Sequence, residues 1–468
     1  MTDLTDKSVF SIKKIILSFL AVAALFGASV LLINLSIFDQ QLRPEVVDIL
    51  KPVKMPSPQK NAYFAFWGLS AADDRDMQDA GIQIIERYRH NYLNNGVHEL
   101  TDSDYAEILG GVDLDKTWTE NYSSCTSRTT LGCLSKLSQQ LIENPLTHNR
   151  VTLLLERFER LKNLPEYQHI DHVNFETPLP PFGKPILLSR LNLATAFNST
   201  DESDFINALQ SDLEFWRKFL SKGDTLLDQM IAVAAIWTDL QSLSEVIASS
   251  ELSPQAVEAI NAMLTPITPG DANLRGAFEF EFRAFQRTIA TITPEQLELY
   301  FGVNAKTIFL LMQPNATTNS YYQYVTLPSS RLSELSTDDF RREFKKLKQS
   351  PDTSASSTIN PFDSGAAIDS LIGFSPASLY NLGGKIILPA TTGSYEDYIA
   401  RLHDLNGMVQ LLKLQLSLRS VDNKEIKEAI NNSPYTNPYT GNPMTYNAED
   451  NSIEFECLDS SALCRVAL

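Results

Sequence analysis

Positive charge is scarce in this sequence. Its 468 residues carry 39 Lys and Arg against 57 Asp and Glu, a formal net charge of -18. No basic cluster offsets that average, so the chain lacks the cations that replace counterions on a phosphate backbone or an anionic headgroup layer. Nucleic-acid binding and peripheral adsorption to a membrane are therefore not expected. Catalytic signatures are missing as well. There is no H-E-x-x-H, no G-x-S-x-G and no P-loop, and Gly110-Gly111 and Gly383-Gly384-Lys385 read as turns without phosphate-cradling spacing. Asp73, Asp74, Asp76 and Asp79 lack the alternating oxygens, Gly turn and terminal Glu of a calcium loop. No cofactor and no metal ligand is expected.

Cysteine is sparse but regular. Cys125 and Cys133 are eight apart, and Cys457 and Cys464 are seven apart. An even number in two local pairs points to two structural disulfides in an oxidising compartment. Three connectivities are open, local pairing being the cheapest geometrically. A zinc site would want tighter spacing.

Long apolar runs are few, and one stands out. Ile15 to Phe38 contains no charge over 24 residues, enough as a helix to cross a hydrocarbon core of about 30 Å. A cleavable signal peptide has a shorter apolar core, so an uncleaved signal-anchor is expected. Lys7, Lys13 and Lys14 precede the run and Asp39 follows it. The positive-inside bias then leaves residues 1–14 in the cytoplasm and puts the bulk of the chain outside it. Ala23 and Gly27 form a small-xxx-small pair that could support a homodimer.

Beyond the anchor, Pro44, Pro52, Pro56 and Pro58 mark residues 39–60 as an extended spacer. Helical periodicity dominates 61–175 and 186–304. The four prolines of Glu176 to Pro185 break it between those regions. The stretch from Asp224 to Ser250 reads as a central helix packed on several sides. Its Asp228, Asp239 and Glu245 argue against a second membrane span. Residues 305–348 are expected to mix strand and helix, with strands at 307–312 and 321–327. A flexible loop is expected at 349–361 and helix again over 362–434. At 435–468, Asn437, Pro438, Tyr439, Gly441, Pro443 and Tyr446 form a tight turn that leads into a β-hairpin. The fold class is mainly α, with a small β-hairpin module at the C-terminus.

Candidates for chemistry are few. His169 and His172 flank Asp171, and Glu281 sits among phenylalanines in Phe278–Arg283, where a buried acid could act in acid–base chemistry. On a helix Phe278, Phe282 and Phe285 make a core face, and Glu279 can pair with Arg283 in solvent.

LYNLGGKIILPA (379–390), the helical stretch 394–419 and the NPYTGNPMTY turn (437–446) are similar to a group of uncharacterised proteobacterial inner-membrane-anchored proteins. NAYFAFWGLSA (61–71), GCLSKL (132–137) and LLERFERLKNLPEY (154–167) resemble the same group. The resemblance implies an inner-membrane anchor and supplies no catalytic residue. The turn module also resembles the end of pseudopilins, but the chain lacks their prepilin cleavage site and the Glu five residues into the apolar helix. The reading that follows is a tethered, non-enzymatic binding or scaffolding protein of the Gram-negative periplasm with an envelope protein partner. The alternatives are a membrane-anchored hydrolase and an accessory of a secretion or pilus machine.

Overall fold

In the computed structural model the apolar pattern of 224–250 folds as one helix, Leu226–Ser249, which is 72% buried. It packs against the helices Glu202–Lys222 and Tyr395–Leu418 and against a strand near the C-terminus. Length and composition alone would let it cross a membrane. Burial on several faces makes it a core helix instead. The structure describes residues 4–95, 100–110, 125, 129–143, 149–170, 177–249, 251–301, 305–349, 379–391, 395–422 and 424–468. His172 and residues 350–361 of the expected loop lie outside them.

The chain divides into two compact units. The larger holds Pro52–Glu281, Ser329–Gln349 and Ser394–Leu468. Its aromatic centre joins Tyr63 and Phe66 to Tyr167, Phe182 and Phe219 through edge-on and tilted rings 4.5 to 6.3 Å apart. The helices Ala62–Gly68 and Met77–Asn95 touch backbone to backbone at Gly68 and Gly81. A Cβ on either would fall 1.7 Å from a carbonyl of the other helix, so only glycine allows this crossing. Pro185 stands in the first turn of the helix Gly183–Phe197. Its missing N–H has no helical partner to lose there, so the proline-rich segment leads into a helix.

The C-terminal module is a three-stranded antiparallel sheet: β1 (Thr445–Asn447), β2 (Ser452–Glu454) and β3 (Arg465–Ala467), in the order β1-β2-β3. Tyr446 faces Ile453, and Ile453 faces Val466. The expected hairpin is therefore present, with a third strand added by the last residues. Asn451, at φ 48°, closes its turn. Both expected disulfides are formed, Cys125–Cys133 and Cys457–Cys464.

The smaller unit holds residues up to Lys51 with Phe282–Pro328 and Ser350–Gly393. The helix Leu4–Ile33 has an 18-residue window, Ile16–Ile33, that is long and apolar enough to cross a membrane, and none of it is buried. Its exit is tied down at once. Buried Asn34 donates to the carbonyls of Val30 and Leu379 and accepts from the Asn381 N–H at 2.7 Å. Asp39 then accepts from the N–H groups of Asn315 and Ala316 at 2.9 and 3.0 Å, capping the helix Pro314–Tyr321. Asn319 holds the Gln41 carbonyl and the Arg43 N–H.

The strands expected at 307–312 and 321–327 are absent; residues 307–310 and 321–327 are helical. Pro314 at the first helical position and the distant Asp39 cap supply what β-propensity could not foresee. Gly383 and Gly384, expected in a turn, lie in the first turn of the helix Leu382–Thr391. A Cβ on Gly383 would sit 2.2 Å from the Ile308 carbonyl, so that position is glycine to let the helix Ala305–Leu310 approach.

Candidate functional site

His169 follows the helix Asn149–Lys162 on an extended segment. Asn61 fixes that segment: its side chain donates to the Gln168 carbonyl and accepts from the N–H groups of Gln168 and Tyr63. One amide thus caps the helix Ala62–Gly68 and holds Tyr167 and His169 inward. The His169 N–H donates to Asp224 at 2.8 Å. Its ring Nε2 lies 3.3 Å from Asp228 Oδ2, and Tyr63 and Phe280 pack around the imidazole. His169 is 3% exposed and Asp228 is fully buried.

Asp228 enters through local sequence. Thr225 and Asp228 cap the helix Leu226–Ser249 reciprocally, the Thr225 N–H donating to Asp228 Oδ2 and the Asp228 N–H to Thr225 Oγ1. Tyr167 adds its hydroxyl to Asp228 Oδ1 at 2.7 Å. Burial, reinforced by the Asp228 charge, pushes the Tyr167 hydroxyl well above the usual tyrosine range, so it stays a donor. Glu281 reaches the same helix end, where Oε1 accepts from the Leu226 N–H at 3.4 Å. Burial raises its pKa above the ordinary glutamate value, and the Leu226 N–H opposes that rise.

The structure thus brings two sequence candidates, His169 and Glu281, to one place, and adds Tyr167, Asp224 and Asp228. The Thr225-x-x-Asp228 capping pattern was the readable signal for Asp228. Glu279, expected to pair with Arg283, has Arg275 as an ion-pair partner at 3.1 Å. Chemically, the arrangement holds negative charge at a helix N-terminus, where backbone dipoles favour it. Asp228 spends both oxygens on Tyr167 and Thr225 before His169 is counted.

A second buried cluster was not read from the sequence. The Asp212 carboxylate accepts from the Ser189 hydroxyl and lies 3.6 Å from Lys162 Nζ. Neither oxygen of fully buried Asp239 has a hydrogen-bond partner among the described residues. Burial first, then the Asp212 charge, holds Asp239 well above the usual carboxylate range, against the pull of Lys162. Asp239 thus holds its proton more tightly than an ordinary aspartate, beside the Asp212–Lys162 pair.

The clefts lie elsewhere. One of about 820 Å³ is lined by Arg75, Asp79, Glu86, Arg87, His90 and Glu107 among others, and another of about 720 Å³ by Thr268, Arg275, Ser336 and His403 among others. None of the residues lining either belongs to the two buried clusters. Asp404, Cys457 and Cys464 bring ligand-type atoms within 4.8 Å of one another, but both sulfurs are joined in the disulfide. Comparison with protein-family models, curated proteins and solved structures finds no match for this chain.

Proposed function

We propose that this protein is a membrane-tethered binding or scaffolding protein of a bacterial envelope, its N-terminus cytoplasmic and its larger unit periplasmic. The helix Leu4–Ile33 is the uncleaved inner-membrane anchor, and two disulfides suit an oxidising space beyond it. One observation carries the binding reading: the two buried clusters around Asp228 and Asp239 lie apart from the clefts, while the 820 Å³ cleft exposes Gln83, Glu86 and His90 on one face of the helix Met77–Asn95. That mixed-charge face fits an envelope protein partner.

A photo-crosslinking residue at position 83 in the full-length protein tests this. A discrete protein adduct is expected, and Glu86→Arg should weaken it. No adduct, together with substrate turnover that is lost in His169→Ala, would overturn the reading. That outcome would support the second reading, a membrane-anchored hydrolase, which the meeting of His169, Asp228 and Glu281 favours.

A further inference from the structure

The apolar surface of the anchor does not stop where its helix stops. Past Ile33, Leu35 is 45% exposed, Ile37 77% and Phe38 56%. Hydrogen bonds place part of the distant helix Ala305–Leu310 beside them. The Leu35 carbonyl accepts from Gln313 Nε2 at 3.1 Å, only three and four residues after Leu310 and Phe309. The Phe38 carbonyl accepts from the Tyr380 hydroxyl at 3.1 Å, and the Gly383 N–H donates to the Leu311 carbonyl at 3.0 Å. Phe309 is 40% exposed and Leu310 64%. Large apolar side chains from two distant stretches of chain therefore surround the end of the anchor and face outward.

The geometry points to a lipid surface as their occupant: we infer that Ile37, Phe38, Phe309 and Leu310 sit in the headgroup–acyl boundary of the outer leaflet. The inference rests on the anchor reading above and adds that the smaller unit is seated in the bilayer surface. Continuity argues for lipid, because the patch prolongs the uncovered apolar surface of Ile16–Ile33. Charge agrees with it. Exposed Lys306, one turn before Leu310, sets an ammonium where anionic headgroups would lie. The exit segment, residues 35–43, then leads away from that level. Leu35 meets residue 313, Asp39 meets 315 and 316, and Arg43 meets Asn319 and Gln323. Ten helical residues carry the chain roughly 15 Å from Gln313, so Tyr324, 69% exposed in the same unit, stands clear of the patch.

The test uses the full chain reconstituted in phosphatidylethanolamine–phosphatidylglycerol vesicles. The native cysteines are paired, so Phe26→Cys, Ile37→Cys, Leu310→Cys and Tyr324→Cys each give one site for a nitroxide label. Collision with oxygen, which concentrates in lipid, is compared with collision with a water-soluble nickel complex. The oxygen-to-nickel ratio at positions 26, 37 and 310 should be several-fold higher than at 324. If position 26 favours oxygen while 37 and 310 favour nickel, or are shielded from both, the surface is not lipid-seated and the anchor reading stands. If position 26 itself favours nickel, the anchor reading fails and this inference fails with it.

Discussion

Tyr439 donates its hydroxyl to Asp404 across 2.6 Å at a fully buried point. Asp404 also accepts from the N–H groups of Leu458 and Asp459, each at 2.9 Å, so one carboxylate of the helix Tyr395–Leu418 holds both the 437–446 turn and the disulfide loop. Burial, then the Asp404 charge, pushes the Tyr439 hydroxyl far up and keeps it a donor. Tyr439→Phe should cost about 1.5–3 kcal/mol, the value of a hydrogen bond to a charged acceptor. Asp404→Ala should cost about 3 kcal/mol or more, because it orphans three donors. Urea unfolding gives both values. Rapid proteolysis near residues 435–468 should accompany the second variant.

Glu245 is a remote helix cap. Its two carboxylate oxygens accept from the N–H groups of Leu134 and Ser135 at 3.0 and 2.9 Å, at the start of the helix Cys133–Glu143. Glu245→Ala should destabilise that helix by about 1–2 kcal/mol, and Glu245→Gln by less. Amide exchange across 133–143 is the readout, with local protection falling in the first variant and largely kept in the second.

His403 gives a pH dependence of known sign. It is buried against Phe340, its Nδ1 lies 3.1 Å from Thr337 Oγ1, and burial lowers its pKa from 6.5 to about 4. The unfolded chain binds the proton more readily, so this contribution is fully present above pH 6.5 and is lost as pH falls toward about 4. In that window wild type should lose up to about 1.4 kcal/mol per pH unit more than His403→Gln does. Equal slopes for the two proteins would contradict this account of His403.

Asp239 has the opposite sign. Its folded pKa is raised, so the folded state keeps a proton that the unfolded state releases, and stability falls as pH rises above the ordinary aspartate range. Asp239→Asn removes that penalty. Denaturation at pH 8 should find the variant more stable than wild type. The gap should close at pH 4.

The parts legible in the sequence were those set by local pattern. The uncharged run from Ile15 announced an apolar helix long enough to cross a membrane, and the apolar faces around Phe205–Phe219 and Met230–Leu243 announced the core helices. Spacing announced the disulfides. What stayed hidden depends on long-range partners. The helix at 314–321 is capped by Asp39, some 275 residues away, so its β-forming neighbours misled. Strand β3 exists because Val466 pairs with Ile453, and nothing local marks it. Of the buried acids, Glu281 was readable among its phenylalanines, but Asp212 and Asp239 each stand beside other polar residues on their helices, and only the fold brings the two together.

In the proposed topology the first residues lie on one side of a membrane and the larger unit on the other. Lys7→Cys and Lys54→Cys, placed before and after the anchor, report on it directly in spheroplasts treated with a membrane-impermeant maleimide. The residue at 54 should label in intact spheroplasts and the residue at 7 only after lysis. Labelling of position 7 in intact spheroplasts, with position 54 protected until lysis, would contradict the account.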